Sequence, residues 1–220
     1  MKREMFLKCL MAMMLCCSTT LFAGDRIKVA CIGDSITAGA GAKNRNEMSY
    51  PAQLQKSLGE KYEVMNCGQS GIKMINYLRR WETKIAAFQP DIVTIKLGTN
   101  DTKGRKFDPA PGNKEEFNKR FTDSATKLVE FLNSLESKPK IYICLPVPVF
   151  RDNKGGINEK ALVEDIIPAL KKLAAEKDLP VIDLYTPCKG KEKDVPDGVH
   201  PNEKVYAILA DIIAKAITQN

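Results

Sequence analysis

The sequence predicts an α/β domain, a parallel sheet with helices on both faces. Two observations predict it. Five short, β-branched apolar runs alternate with five longer stretches of helical periodicity, which is the pattern of repeated βα units. The residues able to do chemistry cluster just after the apolar runs, where open parallel sheets bind their ligands.

The elements follow in order. Strands are expected at Ile27–Ile32, Tyr62–Asn66, Asp91–Leu97, Ile141–Leu145 and Val181–Leu184, short runs of the kind that a sheet buried on both faces demands. Helices are expected at Pro51–Leu58, Ile75–Phe88, Glu115–Leu135, Glu159–Glu176 and Asn202–Ile217. In the third, Phe117, Phe121, Ala125, Leu128 and Phe131 recur at helical spacing; in the last, Val205, Ile208, Leu209, Ile212 and Ile213 share one face. Two irregular segments, Asp101–Asn113 and Pro146–Asn158, are rich in Gly, Pro and Lys and belong to the rim where the strands end.

The first 23 of the 220 residues stand outside this pattern. Lys2, Arg3 and Lys8 precede an apolar run from Cys9 to Cys17, and Ala23 precedes Gly24. A basic start, an apolar core too short to span a bilayer and a small residue at the cut describe a secretory signal peptide. Leu21 is larger than such cut sites prefer, and the competing readings are an N-terminal helix packed on the domain or a lipoprotein beginning at Cys16 or Cys17. The expectation is residues 1–23 as leader and 24–220 as a single domain, exported to the periplasm or the medium, with no stable membrane insertion after cleavage.

Three basic residues and one acidic residue leave with the leader, so the remainder carries 31 basic and 26 acidic residues, a net charge of +5. The lysines are scattered over helices and no basic stretch is interleaved with aromatics, which argues for a solvated surface and against nucleic acid as partner. Cys31, Cys67, Cys144 and Cys188 remain in the domain. Cys31 and Cys144 lie in apolar strand runs and read as small buried hydrophobes. Four cysteines have no unique pairing by sequence. No Cys or His spacing resembles a metal site, and no metal or organic cofactor is expected.

His200 is the only histidine. It lies in Asp197-Gly198-Val199-His200-Pro201, ahead of the last helix, and the Gly-Val turn allows the Asp197 carboxylate to fold back on the imidazole. Imidazole is the side chain suited to moving protons near neutral pH. Ser35 ends the first strand in Gly33-Asp34-Ser35-Ile36-Thr37. A serine hydroxyl becomes a nucleophile only beside a base, and His200 is the base available. Taken alone, Ser35 could be a helix cap and His200 a solvated helix end. Gly39 and Gly41 have the wrong offsets for a phosphate-binding loop. Thr37 stands where the α/β-hydrolase elbow needs glycine. Three donors lie at three strand ends and suit an oxyanion: the Ser35 N–H, the Gly68 N–H and the Asn100 side chain. A turn glycine and an Asx turn are the ordinary readings of the last two.

These blocks together resemble the SGNH hydrolases, also called GDSL esterases and lipases. Ser35 in Gly33-Asp34-Ser35 matches the first block, Gly68 in Asn66-Cys67-Gly68-Gln69-Ser70-Gly71 the second, Asn100 in Gly98-Thr99-Asn100-Asp101 the third, and Asp197 with His200 the last. The resemblance implies a flavodoxin-like three-layer α/β/α sandwich with a five-stranded parallel sheet. It implies Ser35 as nucleophile, His200 and Asp197 as base and acid, and Ser35, Gly68 and Asn100 as the oxyanion hole. Lys96 departs from the family's apolar strand, and the expectation is that it snorkels outward. The rim segments are polar and basic, with Phe107, Val149, Phe150 and Ile157 among their few apolar residues. That composition favours a small acyl group, such as acetyl, on a polar alcohol such as a sugar. The alternatives are a lysophospholipase or thioesterase, and a non-catalytic glycan-binding module on the same fold. Oligomeric state is left open.

Overall fold

The computed structural model describes residues 26–103, 111–150 and 156–219, with the side chains of 111–114 excepted. The expected leader lies outside the described residues, as do 104–110 and 151–155 of the two rim segments.

Five strands form one sheet: β1 (Ile27–Gly33), β2 (Tyr62–Gly68), β3 (Ile92–Lys96), β4 (Lys140–Leu145) and β5 (Val181–Asp183). Their order is β2-β1-β3-β4-β5 and every pairing is parallel. Strand direction of travel across the sheet reverses at β1, so β1 and β3 flank the switch point where such sheets hold ligands. Their registered pairing ends at Gly33 opposite Lys96.

The helices are α1 (Arg45–Met48), α2 (Tyr50–Leu58), α3 (Met74–Phe88), α4 (Pro111–Ser134), α5 (Glu159–Ala161), α6 (Ile167–Glu176) and α7 (Glu203–Thr218). Successive strand side chains point to opposite faces, and β1 divides accordingly. Ala30 and Ile32 join the core under α3, α4 and α6; Val29 and Cys31 join the core under α2 and α7. In β4, Ile141, Ile143 and Leu145 face the first layer while Tyr142 and Cys144 face the second. The result is the three-layer α/β/α sandwich that the sequence predicts.

Three elements differ from expectation. Helix α4 begins at Pro111, four residues before the expected Glu115 and within the segment read as irregular, since proline suits the first turn of a helix. The short helix α1 is added, with the Asn44 carboxamide accepting from Asn46 N–H at 3.1 Å. The single helix expected over Glu159–Glu176 is interrupted by a π-turn at Leu162–Ile166, where Ile167 N–H reaches back to Leu162 O. Pro168 explains it. Proline has no N–H to offer and its ring crowds the carbonyl four residues earlier, and a widened turn relieves that crowding.

Candidate active site

The site is built on the turn that leaves β1. Asp34 starts it: its carboxylate accepts Ile36 N–H at 3.0 Å and its carbonyl accepts Ala38 N–H at 3.0 Å. Ser35 O accepts Ala40 N–H at 2.9 Å, so the chain coils at once and leaves Ser35 at the rim. Two tyrosines brace the coil from below. Tyr50 Oη lies 3.0 Å from Thr37 Oγ1, and Tyr206 O–H donates to Ala40 O. Both rings are fully buried in the α2/α7 layer.

The second turn, before α7, brings in His200. Asp197 Oδ1 accepts the N–H groups of Val199 at 2.9 Å and His200 at 2.7 Å, while Oδ2 lies 2.5 Å from His200 Nδ1. Gly198 makes the fold-back with φ of 80°. Partial burial pushes the Asp197 carboxyl up, but the His200 and Val199 donors outweigh it and hold the group below its ordinary value. An ionised carboxylate only accepts, so in the neutral ring Nδ1 carries the hydrogen and Nε2 is the acceptor. Ser35 Oγ stands 2.9 Å from that Nε2, across 165 residues of sequence. The serine, histidine and aspartate expected from sequence therefore form one continuous hydrogen-bonded chain.

Close packing fixes the two turns against each other. A Cβ on Gly41 would come within 2.5 Å of Pro201 O and 3.0 Å of His200 Cβ. Phe150 N–H donates to Gly198 O at 2.7 Å, which ties the segment after β4 to the same turn.

Asn100 opens a 3-10 turn after β3 and is 9% exposed. Its Nδ2 donates to Ile72 O at 3.0 Å; an amide nitrogen carries two hydrogens, so this bond orients the group and engages only one. Asp101 accepts Met74 N–H at 3.1 and 3.2 Å and thereby caps the N-terminus of α3.

The Gly68 N–H, expected to serve an oxyanion, has a partner of its own. It donates to Asn66 Oδ1 at 2.9 Å and is thus committed within the chain. The glycine is required for another reason. A Cβ there would lie 2.2 Å from Ala38 N and 2.6 Å from Thr37 C, so the Ser35 turn rests directly on it. Asn66 completes the clamp by donating from Nδ2 to Thr37 O at 2.9 Å. An asparagine at the end of a strand, two residues before glycine, was the available signal for this clamp.

Lys96 is also corrected. It does not snorkel outward: the side chain is fully buried, with Nζ 3.0 Å from both carboxylate oxygens of Asp34 and 3.1 Å from Thr99 Oγ1. Strand alternation explains this. Val93, Ile95 and Leu97 face the α3/α4/α6 layer, so Lys96 points to the opposite face, beneath Asp34. Burial pulls the ammonium pKa down and the Asp34 charge opposes that pull. Among the described residues, no group of three or more His, Cys, Asp or Glu side chains is arranged to hold a metal ion.

Comparison with known proteins defines the family and the fold. The model of the GDSL-like lipase/acylhydrolase family matches residues 31–208. An acetylxylan esterase of Xylanibacter ruminicola is 38% identical over 209 residues, covering 88% of this chain and 43% of that protein. The chain thus spans less than half the length of that relative. Among solved structures, a lipase/acylhydrolase from Enterococcus faecalis superposes with a TM-score of 0.68 at 23% identity, covering 86% of this chain and 94% of that one. A carbohydrate acetylesterase family member from Sinorhizobium meliloti gives 0.66 at 21% identity, covering 87% and 97%. At these identities the two structures speak for the fold. The family match defines the class: this chain belongs to the GDSL-like lipase/acylhydrolase family.

Proposed function

We propose that this protein is an exported serine esterase that removes small acyl groups, acetyl above all, from carbohydrate. The observation that carries the reading is the chain from Ser35 Oγ through His200 to the Asp197 carboxylate, at 2.9 and 2.5 Å. His200 Nε2 takes the Ser35 proton as Oγ attacks the ester carbonyl. Asp197 keeps the ring in the right tautomer and stabilises the imidazolium. The tetrahedral oxyanion is held by the Ser35 N–H and the second hydrogen of the Asn100 amide. The turn at Gly71 supplies the neighbouring backbone donor in place of Gly68, since Ile72, the next residue, holds the Asn100 amide. His200 then returns its proton to the leaving alcohol. Water attacks the acyl-enzyme with the same histidine as base and releases the acid. Support for acetyl on sugar comes from the polar, basic composition of the rim segments and from the relative named as an acetylxylan esterase. The basic, apolar and small-residue order of residues 1–23 supports export.

The test is hydrolysis of p-nitrophenyl esters from acetyl to octanoyl, and of acetylated xylan, by wild type, Ser35→Ala, His200→Ala and the double variant. Each single change should lower turnover roughly 10⁴-fold or more, and the double little further, because the two side chains act as one unit. Activity should fall from acetyl to octanoyl. A folded Ser35→Ala protein with wild-type turnover refutes the mechanism, and a maximum at octanoyl replaces the acetyl reading with a lipid one.

A further inference from the structure

Lys96 and Asp34 form a buried ion pair that the proposed chemistry does not use directly. The side chains are 0% and 1% exposed. The ammonium has three hydrogens and finds three acceptors within 3.1 Å: both Asp34 oxygens and Thr99 Oγ1. The Lys96 side chain is sealed from solvent. Such pairs do little for stability, because desolvation offsets attraction, and an apolar replacement of similar volume is often as stable. Its location is more telling. The β1–β3 ladder stops at Gly33 opposite Lys96, and beyond it the two chains diverge into separate turns. Asp34 is the residue before Ser35, and Thr99 the residue before Asn100. Asp34 also starts the coil of the serine turn by accepting Ile36 N–H. One ammonium therefore joins the two turns where the ladder no longer does.

We propose that Lys96 is a positioning residue which, through Asp34 and Thr99, sets the distance and orientation between the Ser35 nucleophile and the Asn100 amide. This rests on the hydrolase reading above. Attack and oxyanion capture need both groups in register, and a misplacement of about 1 Å is worth about 100-fold in rate. Ground-state binding of a small ester asks less of that register, so the effect belongs to kcat.

The experiment compares wild type with the neutral pair Asp34→Asn/Lys96→Met and with Thr99→Val, on p-nitrophenyl acetate well below each variant's Tm. The neutral pair removes the staple without leaving a buried charge unpaired. It should keep its circular dichroism spectrum, lose about 10-fold to 100-fold in kcat and hold KM within about twofold. Thr99→Val should lose about threefold to tenfold in kcat, again with KM held. A folded neutral pair with wild-type kcat overturns the proposal. If the neutral pair does not fold, Thr99→Val decides: a kcat loss at constant KM supports the role and an unchanged kcat overturns it. Failure of the hydrolase reading has a different signature, since Ser35→Ala would then retain the wild-type rate, and it removes the positioning role as well.

Discussion

At Gly68 the missing side chain makes room for backbone. Its Cα faces Thr37 and Ala38, the second and third residues after Ser35, at a separation that leaves no space for a methyl group. Neither neighbour is a flexible side-chain tip that could swing away. Gly68→Ala should therefore push the serine turn outward and stretch the Asn66 bond to Thr37 O. Overpacking of this kind costs about 1–3 kcal/mol, and displacement of Ser35 from His200 should lower kcat about 100-fold. Thermal unfolding and p-nitrophenyl acetate kinetics check both. Wild-type values for the two would mean that the turn does not bear on this glycine. The same approach explains why the second motif block needs glycine at this position even though its N–H is engaged elsewhere.

Helix α7 positions the histidine, because His200 lies three residues before its first turn. Asn202 caps that helix, accepting Lys204 N–H at 3.0 Å and Val205 N–H at 3.3 Å. It also reaches backward, donating from Nδ2 to Asp194 Oδ1 at 2.9 Å and from its N–H to Asp194 O at 2.8 Å. One residue thus joins the 3-10 turn at Glu192–Asp194 to the start of α7, with the Asp197–His200 turn held between them. Asn202→Ala removes the cap and should cost about 1 kcal/mol, a fall in Tm of about 2–4 °C for a domain of this size. Differential scanning calorimetry reads this directly. An unchanged Tm would mean that water replaces the cap without loss. The π-turn before α6 acts at the same scale: Ile166 within it packs where a Gly98 side chain would otherwise stand, 2.5 Å from the ideal Cβ position.

Across the molecule, most buried polar side chains lie where the strands end, Ser49, Thr94 and Asp165 apart, and two hydrophobic clusters fill the two faces of the sheet. The four cysteines of the described residues belong to these clusters and are all free thiols. Burial pushes Cys31 up to about 12 and Cys188 to about 11, and raises Cys67 and Cys144 as well. Since the thiolate is the reactive form, native protein at pH 8 should take no iodoacetamide at these positions. All four should be alkylated once the domain is unfolded in guanidinium. Peptide mass spectrometry gives the answer, and rapid native labelling of Cys67 would contradict the packing of β2 against the sheet.

By itself, the sequence determined the layer architecture, the family and a short set of candidate residues. β-branched runs alternating with 3.6-residue periodicity admit few arrangements once right-handed crossovers are required, and all five strands fall within two residues of their expected bounds. Ser35, Asn100, Asp197 and His200 were legible as candidates because ester hydrolysis would need those side chains after strands or beside a helix start. Only the tertiary structure decided what each group touches. Whether Lys96 faces water or protein depends on which layer covers its side of β3, and that is settled by α2 and α7, elements distant in sequence. Whether the Gly68 N–H is free depends on the rotamer of Asn66. The 2.9 Å contact between Ser35 and His200 spans 165 residues. Periodicity reports a residue's face and neighbours along one element. Hydrogen bonds between elements are set by packing that brings distant segments within 3 Å, and the linear order of residues does not contain that distance.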